Sequence, residues 1–252
     1  MILRRLAEAI AGQNWFIVLI EVLVVVVGIF IGLQVDDWNQ VRKDRAEERV
    51  YLEELLEDFE ANRAALTQST SSFEEIITAM TALLEQSAMD KPDWSVDELN
   101  AAFRNIHRMP TFIPVERAFA NLTGSGDLKL IRNRELKNAL AQYFSATELV
   151  ELVQVTHEME LVQTFQPYVI ENMDFQAVVY QRVEDFPLPP AVEEGRLLEV
   201  LDTREFRNNL TQKWTICTDL LSQHRDLQVS TTDLIRILET EIGKTERTRV
   251  TP

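Results

Sequence analysis

The sequence is poor in residues that turn or break a chain. It has 7 Gly and 8 Pro among 252 residues, which disfavours a turn-rich all-β fold. The recurring residues are helix formers such as Leu, Glu, Ala, Gln and Arg. Cys217 is the single cysteine, so no internal disulfide can form. It lies in an apolar helical stripe, which predicts a small buried hydrophobe and disfavours a nucleophile.

Positive charge is also scarce. From Asn39 onward the chain has 23 Lys and Arg against 37 Asp and Glu, a net charge of −14. Such a surface repels phosphate backbones, so we predict no nucleic-acid binding. The same charge repels anionic lipid, so the domain is expected to stand off the membrane. Otherwise the charge is typical of a solvated surface that keeps a protein soluble.

One long apolar run is present near the N-terminus. Residues 15–35 read WFIVLIEVLVVVVGIFIGLQV, and a membrane-spanning helix needs about 20 mostly apolar residues. Its backbone must be helical, because hydrocarbon contains no water to bond the peptide groups. Trp15 and Trp38 flank the run, and indole rings prefer the headgroup level. We therefore predict a transmembrane helix at residues 15–35 with Trp15 and Trp38 as interface anchors.

The segment before the run, residues 1–14, contains Arg4 and Arg5 beside several apolar residues. This pattern predicts a short interfacial helix. A cleaved signal peptide would have a shorter apolar region and a small-x-small cleavage site. Because the run instead ends in GLQVDDWN, we expect an uncleaved anchor.

Orientation rests on the charges that flank the run. Two basic residues precede it, and Asp36 and Asp37 stand at its exit. Long domains translocate largely regardless of charge. We therefore predict a bacterial inner-membrane protein with a cytoplasmic N-terminus and a periplasmic domain. The opposite orientation stays open, because Arg42, Lys43, Arg45 and Arg49 follow the exit.

Five residues of the run share one helical face at about 100° per residue: Glu21, Val25, Gly28, Gly32 and Val35. Gly28 and Gly32 form a G-x-x-x-G pair, which lets another helix approach closely. An ionised carboxylate inside a bilayer is costly and usually faces a partner. We predict that this face packs against a second copy or a partner membrane protein. Two alternatives remain open for Glu21: reaching the nearby interface with no role, or handling an ion or a proton.

The rest of the chain is patterned for long helices. Apolar residues recur in steps of three and four from Trp38 to about Leu84, with no Gly or Pro between them. A capping box at Ser95 and Glu98 opens a short helix, and Asn133 caps a long one that reaches about Gln166. The predicted core stripe of this long helix includes Leu149, Leu152 and Met159.

Further along, Pro114 suits the first turn of a short helix, and a short extended segment followed by a loop is expected from Phe175 to Glu194. Asp202 and Glu205 are expected to cap the last helix, which should end near Ile242.

We predict an all-α fold, in which a transmembrane helix continues into the long helix of an elongated antiparallel bundle. The bundle covers residues 36–243, and a frayed tail follows at residues 244–252.

Two motifs resemble those of a bacterial family of uncharacterised membrane proteins. The first runs from Glu21 through the G-I-x-I-[AG]-L-Q segment to W-N, and its positions here are Glu21, Gly28, Ile29, Ile31, Gly32, Leu33, Gln34, Trp38 and Asn39. The second is FANLTGSGDLKLIRNRELKNALAQYF at residues 119–144. The resemblance implies an anchored helical protein of unknown function and assigns no catalytic residue.

No motif of a metalloprotease, a serine hydrolase, a P-loop or a paired-cysteine site is present. His107, His157 and His224 are far apart in sequence, and we predict structural roles for them. We therefore predict no enzyme activity, no cofactor and no metal.

The predicted function is a membrane-anchored interaction or structural protein of the cell envelope, whose partners are the lipid bilayer and a second copy or a membrane protein. A sensory or ligand-binding module that works with a partner protein is one alternative. An ion-coupled accessory subunit that uses Glu21 is another.

Overall fold

The computed structural model describes residues 15–179, 181 and 187–250 of the chain. In this part of the chain all regular structure is helical, which confirms the predicted all-α class. The predicted interfacial segment, residues 1–14, lies outside the described residues. The elements are α1 (Trp15–Ser87), α2 (Val96–Ile106), α3 (Arg117–Gly124), a 3-10 turn (Asp127–Lys129), α4 (Arg134–Glu160), a π-helical turn (Leu161–Phe165), α5 (Gln166–Asn172), α6 (Phe175–Val178), α7 (Arg196–Val200) and α8 (Arg204–Val250).

The chain divides into two compact units, Met1–Val50 and Tyr51–Pro252, and α1 contributes residues to both. Helix α1 is long because the sequence has no Gly or Pro between Gly32 and Pro92. After its last turn, the side-chain oxygen of Gln86 accepts hydrogen bonds from the backbone N–H groups that follow, at 3.0 and 3.3 Å. These bonds hold the turn into α2.

The core of the second unit consists of two clusters of buried apolar side chains. One cluster includes Phe73, Met80, Phe103, Phe165, Phe206 and Leu210. The other includes Leu52, Phe59, Leu136, Leu140, Tyr143 and Leu234. Helix α1 supplies a one-sided stripe to both clusters, and Leu55 and Phe59 within it are 1% and 0% exposed. The predicted helical bundle is therefore confirmed.

Within the second unit, α8 runs antiparallel to α1 and α4. The Arg207 guanidinium donates to the carbonyl of Ser87, and Ser69 bonds His224 at 2.9 Å, so residue numbers rise along one helix as they fall along the other. Helix α4 shows the same relation to α8. The side chain of Asn133 donates to Glu241, while Lys213 contacts His157.

Polar side chains on α1 hold the segment between α2 and α3. Asn62 donates to the carbonyl of Val115 at 2.9 Å and accepts from its N–H at 2.7 Å. Buried Asp58 accepts from the N–H of Ala118 at 2.7 Å. The expectation that Pro114 opens a helix is wrong. Helix α3 begins at Arg117, because the peptide groups of Val115 are bonded to Asn62.

Two predicted helix starts are confirmed and one is corrected. Ser95 and Glu98 form the expected capping box, and Asn133 accepts from the N–H of Leu136. The cap of α8 is Thr203 in place of Asp202. The Thr203 hydroxyl accepts the N–H of Phe206 at 3.1 Å, the bond that an N-cap residue makes.

The region after α5 also differs from expectation. Residues 175–178 form the short helix α6, capped by the side chain of Asp174, in place of the expected extended segment. Helix α8 continues past its expected end near Ile242 to Val250.

The predicted core stripe of α4 is wrong at Leu149, Leu152 and Met159. These side chains are 58%, 63% and 52% exposed, whereas Val150 and His157 are buried. Both sides of this part of α4 are apolar, and sequence periodicity alone does not tell which side meets the core.

Candidate functional site

The first unit presents an apolar helix that no described protein atom covers. From Leu19 to Trp38 its large apolar side chains are between 43% and 63% exposed. This part of α1 is long and apolar enough to cross a membrane, and its most apolar window is 0% buried. A helix that is apolar all round normally lies in a protein core or in a bilayer.

The predicted packing face lies on this helix. The helical geometry places Glu21, Val25, Gly28, Gly32 and Val35 on one side of α1. A Cβ atom built on either glycine meets no heavy atom within 4 Å, so both backbones are open to a close approach. A helix–helix contact through this face stays a prediction.

The predicted interface anchors are Trp15 and Trp38. Helix α1 begins at Trp15, and the Trp38 side chain is 62% exposed. The Arg42 guanidinium carbon lies 5.4 Å from the centroid of the Trp38 ring. This cation–π contact sets a basic group next to the indole. Their anchoring role also stays a prediction.

In the second unit the structure brings together a group of polar residues that the sequence interpretation did not identify. We call Lys213, His157, Glu160 and Cys217 the lysine cluster. Lys213 is 0% exposed, and its Nζ lies 2.8 Å from His157 Nε2 and 3.8 Å from Glu160 Oε2. The Cys217 Sγ is 3.9 Å from the same His157 nitrogen. A buried charge needs such partners, because its desolvation is costly.

The π-helical turn helps to enclose the lysine cluster. Glu160 is the last residue of α4 before this turn, and the Lys213 Nζ lies 5.4 Å from the ring centroid of Phe165 within it. In the turn, the N–H of Gln166 bonds the carbonyl of Leu161, five residues back. Turns of this kind are rare and often lie at functional sites.

Burial shifts the titration of the lysine cluster. Burial lowers the pKa of Lys213, and the negative charge of the nearby Glu160 opposes this shift. Burial and then the Lys213 charge lower the pKa of His157 to about 3. Burial raises the pKa of Glu160, against the attraction of Lys213. Burial also raises the pKa of Cys217 to about 11.

These shifts define what the cluster can do chemically. His157 is neutral at pH 7, so its Nε2 accepts the hydrogen bond that the Lys213 amino group donates. The Cys217 thiol is protonated and therefore a poor nucleophile, which agrees with its predicted role as a small buried group. The buried Lys213 amino group of α8 therefore links that helix to His157 and Glu160 of α4.

Two further histidines are held in apolar surroundings. His224 bonds the Ser69 hydroxyl, and its ring packs 5.2 Å from Phe73. Burial lowers its pKa to about 4. Burial, with the charge of Lys213, also lowers the pKa of His107 to about 4. These buried environments are consistent with the structural roles that the sequence analysis predicts for the histidines.

One sequence signal could have identified Lys213. It stands three residues after Leu210 and four before Cys217, within the predicted apolar stripe of the last helix. A charged residue at such a position needs a partner in the core. His157 is likewise a polar residue at helical spacing from apolar residues, seven positions after Val150 and four before Leu161.

Comparison with known proteins shows one family. The profile described as "Family of unknown function (DUF6090)" matches residues 21–153, which is more than half of the chain. This match confirms the expectation of an uncharacterised family. No curated protein and no solved structure matches the chain.

Proposed function

The chain belongs to the DUF6090 family of unknown function, and from that premise we propose that it is a membrane-anchored interaction protein of the bacterial envelope and not an enzyme. The observation that carries the proposal is the contrast in cover along α1. Apolar residues on all sides of its first unit are exposed, while those of its bundle stripe are buried. A lipid bilayer supplies the missing cover without a further protein.

We place the anchor in the inner membrane with the N-terminus in the cytoplasm and the bundle in the periplasm. Arg4 and Arg5 before the span support this orientation. The four basic residues after the exit carry less weight, because a long domain translocates largely regardless of charge. A reporter fused to the C-terminus tests it. Alkaline phosphatase folds in the periplasm and should be active there, whereas activity of a fused cytoplasmic reporter would reverse the proposed orientation.

Within the membrane, the face of Glu21, Gly28 and Gly32 is proposed to join two copies. The two glycines leave the backbone open, as the space around them indicates. Glu21 lies on the same face, where its carboxyl group can donate a hydrogen bond to a partner helix or accept one from it. A partner membrane protein could use the same surface.

Disulfide formation in native membranes tests this contact. In a Cys217→Ala background, Gly28→Cys should give a covalent dimer, because the two glycine faces would meet. Phe30→Cys, about 180° around the helix, is the matched control and should stay monomeric. If Gly28→Cys stays monomeric as well, or if both variants cross-link to the same extent, the proposed self-association is refuted.

A further inference from the structure

Helix α4 has a second apolar side that the described residues of the bundle leave exposed. We call Leu149, Leu152, Val155, Met159 and Val162 the outer face. Their side chains are 58%, 63%, 46%, 52% and 53% exposed. Single exposed apolar residues are common, but a contiguous row of them marks an interaction site.

The outer face is not an edge of the core. Leu152 and Met159 each follow a buried residue, Val150 and His157, by two positions, which is about 200° around an α-helix. From Leu149 to Val162 the face extends about 20 Å along the axis at 1.5 Å per residue. An amphipathic helix of a partner would cover a row of this length and spacing.

Acidic residues line one edge of the outer face. Glu151 and Glu158 are exposed along this edge, and exposed Glu148 lies in line with the row, one turn before Leu152. The sequence has no Lys or Arg from residue 138 to residue 181. No ion pair described in the structure involves these three carboxylates. A partner with basic residues beside its apolar row would complement this edge.

We propose that the outer face of α4 docks a basic amphipathic helix of another protein. A second copy of this chain fits less well, because it would bring a second acidic edge to the contact. The inference rests on the proposed role as an interaction protein, but it uses a surface of the second unit. The predicted membrane face belongs to the first unit, so the two contacts can fail separately.

A cross-linking experiment with defined peptides tests the docking site. Full-length protein is placed in phosphatidylcholine nanodiscs and mixed with an 18-residue amphipathic helical peptide of Leu and Lys that carries one photoreactive leucine. Cross-links are located by mass spectrometry, and empty nanodiscs give the lipid background. We expect cross-links at residues 149–162 with the lysine peptide. A matched peptide with Glu in place of Lys should give at least about five-fold less.

Two sets of variants distinguish specific binding at the outer face from nonspecific binding of the peptide elsewhere on the protein. Leu152→Asp and Met159→Asp should each reduce the cross-links at least about five-fold. Val229→Asp, on a 64% exposed side chain of α8, should not. Glu151→Gln with Glu158→Gln should reduce them, whereas the exposed pair Asp219→Asn and Glu239→Gln removes the same charge elsewhere and should not.

Four outcomes would overturn the docking site. The first is that cross-links scatter over the bundle, and the second is that the two peptides react equally. The third is that Met159→Cys joins two copies of the chain, which would make the occupant a second copy. Disulfide formation at Gly28→Cys is measured in parallel with and without Leu152→Asp. Loss of the dimer only with Leu152→Asp is the fourth outcome, because it would show that the outer face joins two copies. Absence of the dimer in both chains, while the peptide cross-links persist, would count against the membrane contact and leave the docking site intact.

Discussion

The two parts of α1 have different patterns within one helix. Between Leu19 and Val35 apolar residues occupy every side and are exposed, whereas from Leu52 to Leu83 they form a single stripe that is buried. Ionisable groups follow the same division. Glu21 is exposed along the apolar part, while Lys213 in the bundle is enclosed with His157 and Glu160. The pattern of a helix therefore reports what surrounds it.

The difference teaches where stabilisation comes from in each part. In the bundle, other helices cover the stripe, so each side chain contributes by leaving water. In the first unit no described protein atom does this, and only a bilayer or a second helix can. The same substitution should therefore change the free energy of unfolding of the bundle by different amounts in the two parts of α1.

The largest effect is expected where the bundle encloses a charge. Lys213→Ala should lower the free energy of unfolding by about 3–5 kcal/mol, because Glu160 and His157 would lose their shared partner in the core. Chemical unfolding of the full-length protein in detergent measures this. Lys244→Ala removes an exposed ion pair with Glu241 and should cost less than about 1 kcal/mol. Equal costs for the two lysines would contradict the enclosed charge.

A matched pair of leucines on α1 tests the comparison directly. Leu55→Ala should lower the free energy of unfolding of the bundle by about 2–5 kcal/mol, because the side chain is 1% exposed and leaves a cavity. Leu33→Ala makes the same change on a side chain that is 56% exposed and should leave that free energy unchanged. A similar loss at Leu33 would show that the first unit contributes to bundle stability.

The smallest effect concerns pH and only the bundle, since residues 15–50 contain no histidine. The pKa values of His107, His157 and His224 are about 4, 3 and 4, below the usual 6.5. The unfolded chain therefore binds protons that the folded chain does not. Stability is fully present above pH 6.5 and is lost as the pH falls toward 4, by about 1.4 kcal/mol per pH unit for each histidine.

Urea unfolding of the full-length protein at pH 7.5 and pH 5.5 measures this loss. His224→Asn should reduce this loss by about one third, or about 1.3 kcal/mol in total between pH 7.5 and pH 5.5, because the unfolded imidazole gains its proton over this interval. Glu160 acts with the opposite sign, because a raised pKa gives stability at low pH that is lost as the pH rises. A slope that His224→Asn leaves unchanged would exclude the titration of His224 as a cause.

The sequence predicted the helical class, the length of α1 and two helix caps, because these depend on local features. No Gly or Pro interrupts α1 after Gly32, and the side chains of Ser95 and Asn133 bond to backbone groups within their own first turn. The shared side of Glu21, Gly28 and Gly32 follows from helical periodicity alone, and helix packing on it stays a prediction. The partner of this face cannot be predicted in the same way, because the sequence of one helix does not identify the helix that packs against it.

The lysine cluster and the outer face of α4 escaped prediction because they depend on distant residues. Lys213 is 56 residues from His157 in sequence, and only the packing of α4 on α8 joins them. Helix α4 is apolar on two sides near Val150 and Leu152, so its periodicity permits two orientations toward the core. The choice between them is made by α1 and α8.

The π-helical turn at Leu161–Phe165 has a consequence for chain length. Such a turn accommodates one residue more than an α-helix would at the same place. The five residues of the turn cover about the same rotation as four residues of an α-helix, so deleting one of them would restore α-helical bonding and leave the following residues on the same side. Tyr168 and Val169, which are buried, would stay in the core. In homologous chains, a one-residue deletion at this point would therefore keep the same side of α5 on the bundle, whereas the same deletion inside α4 would rotate that side by about 100°.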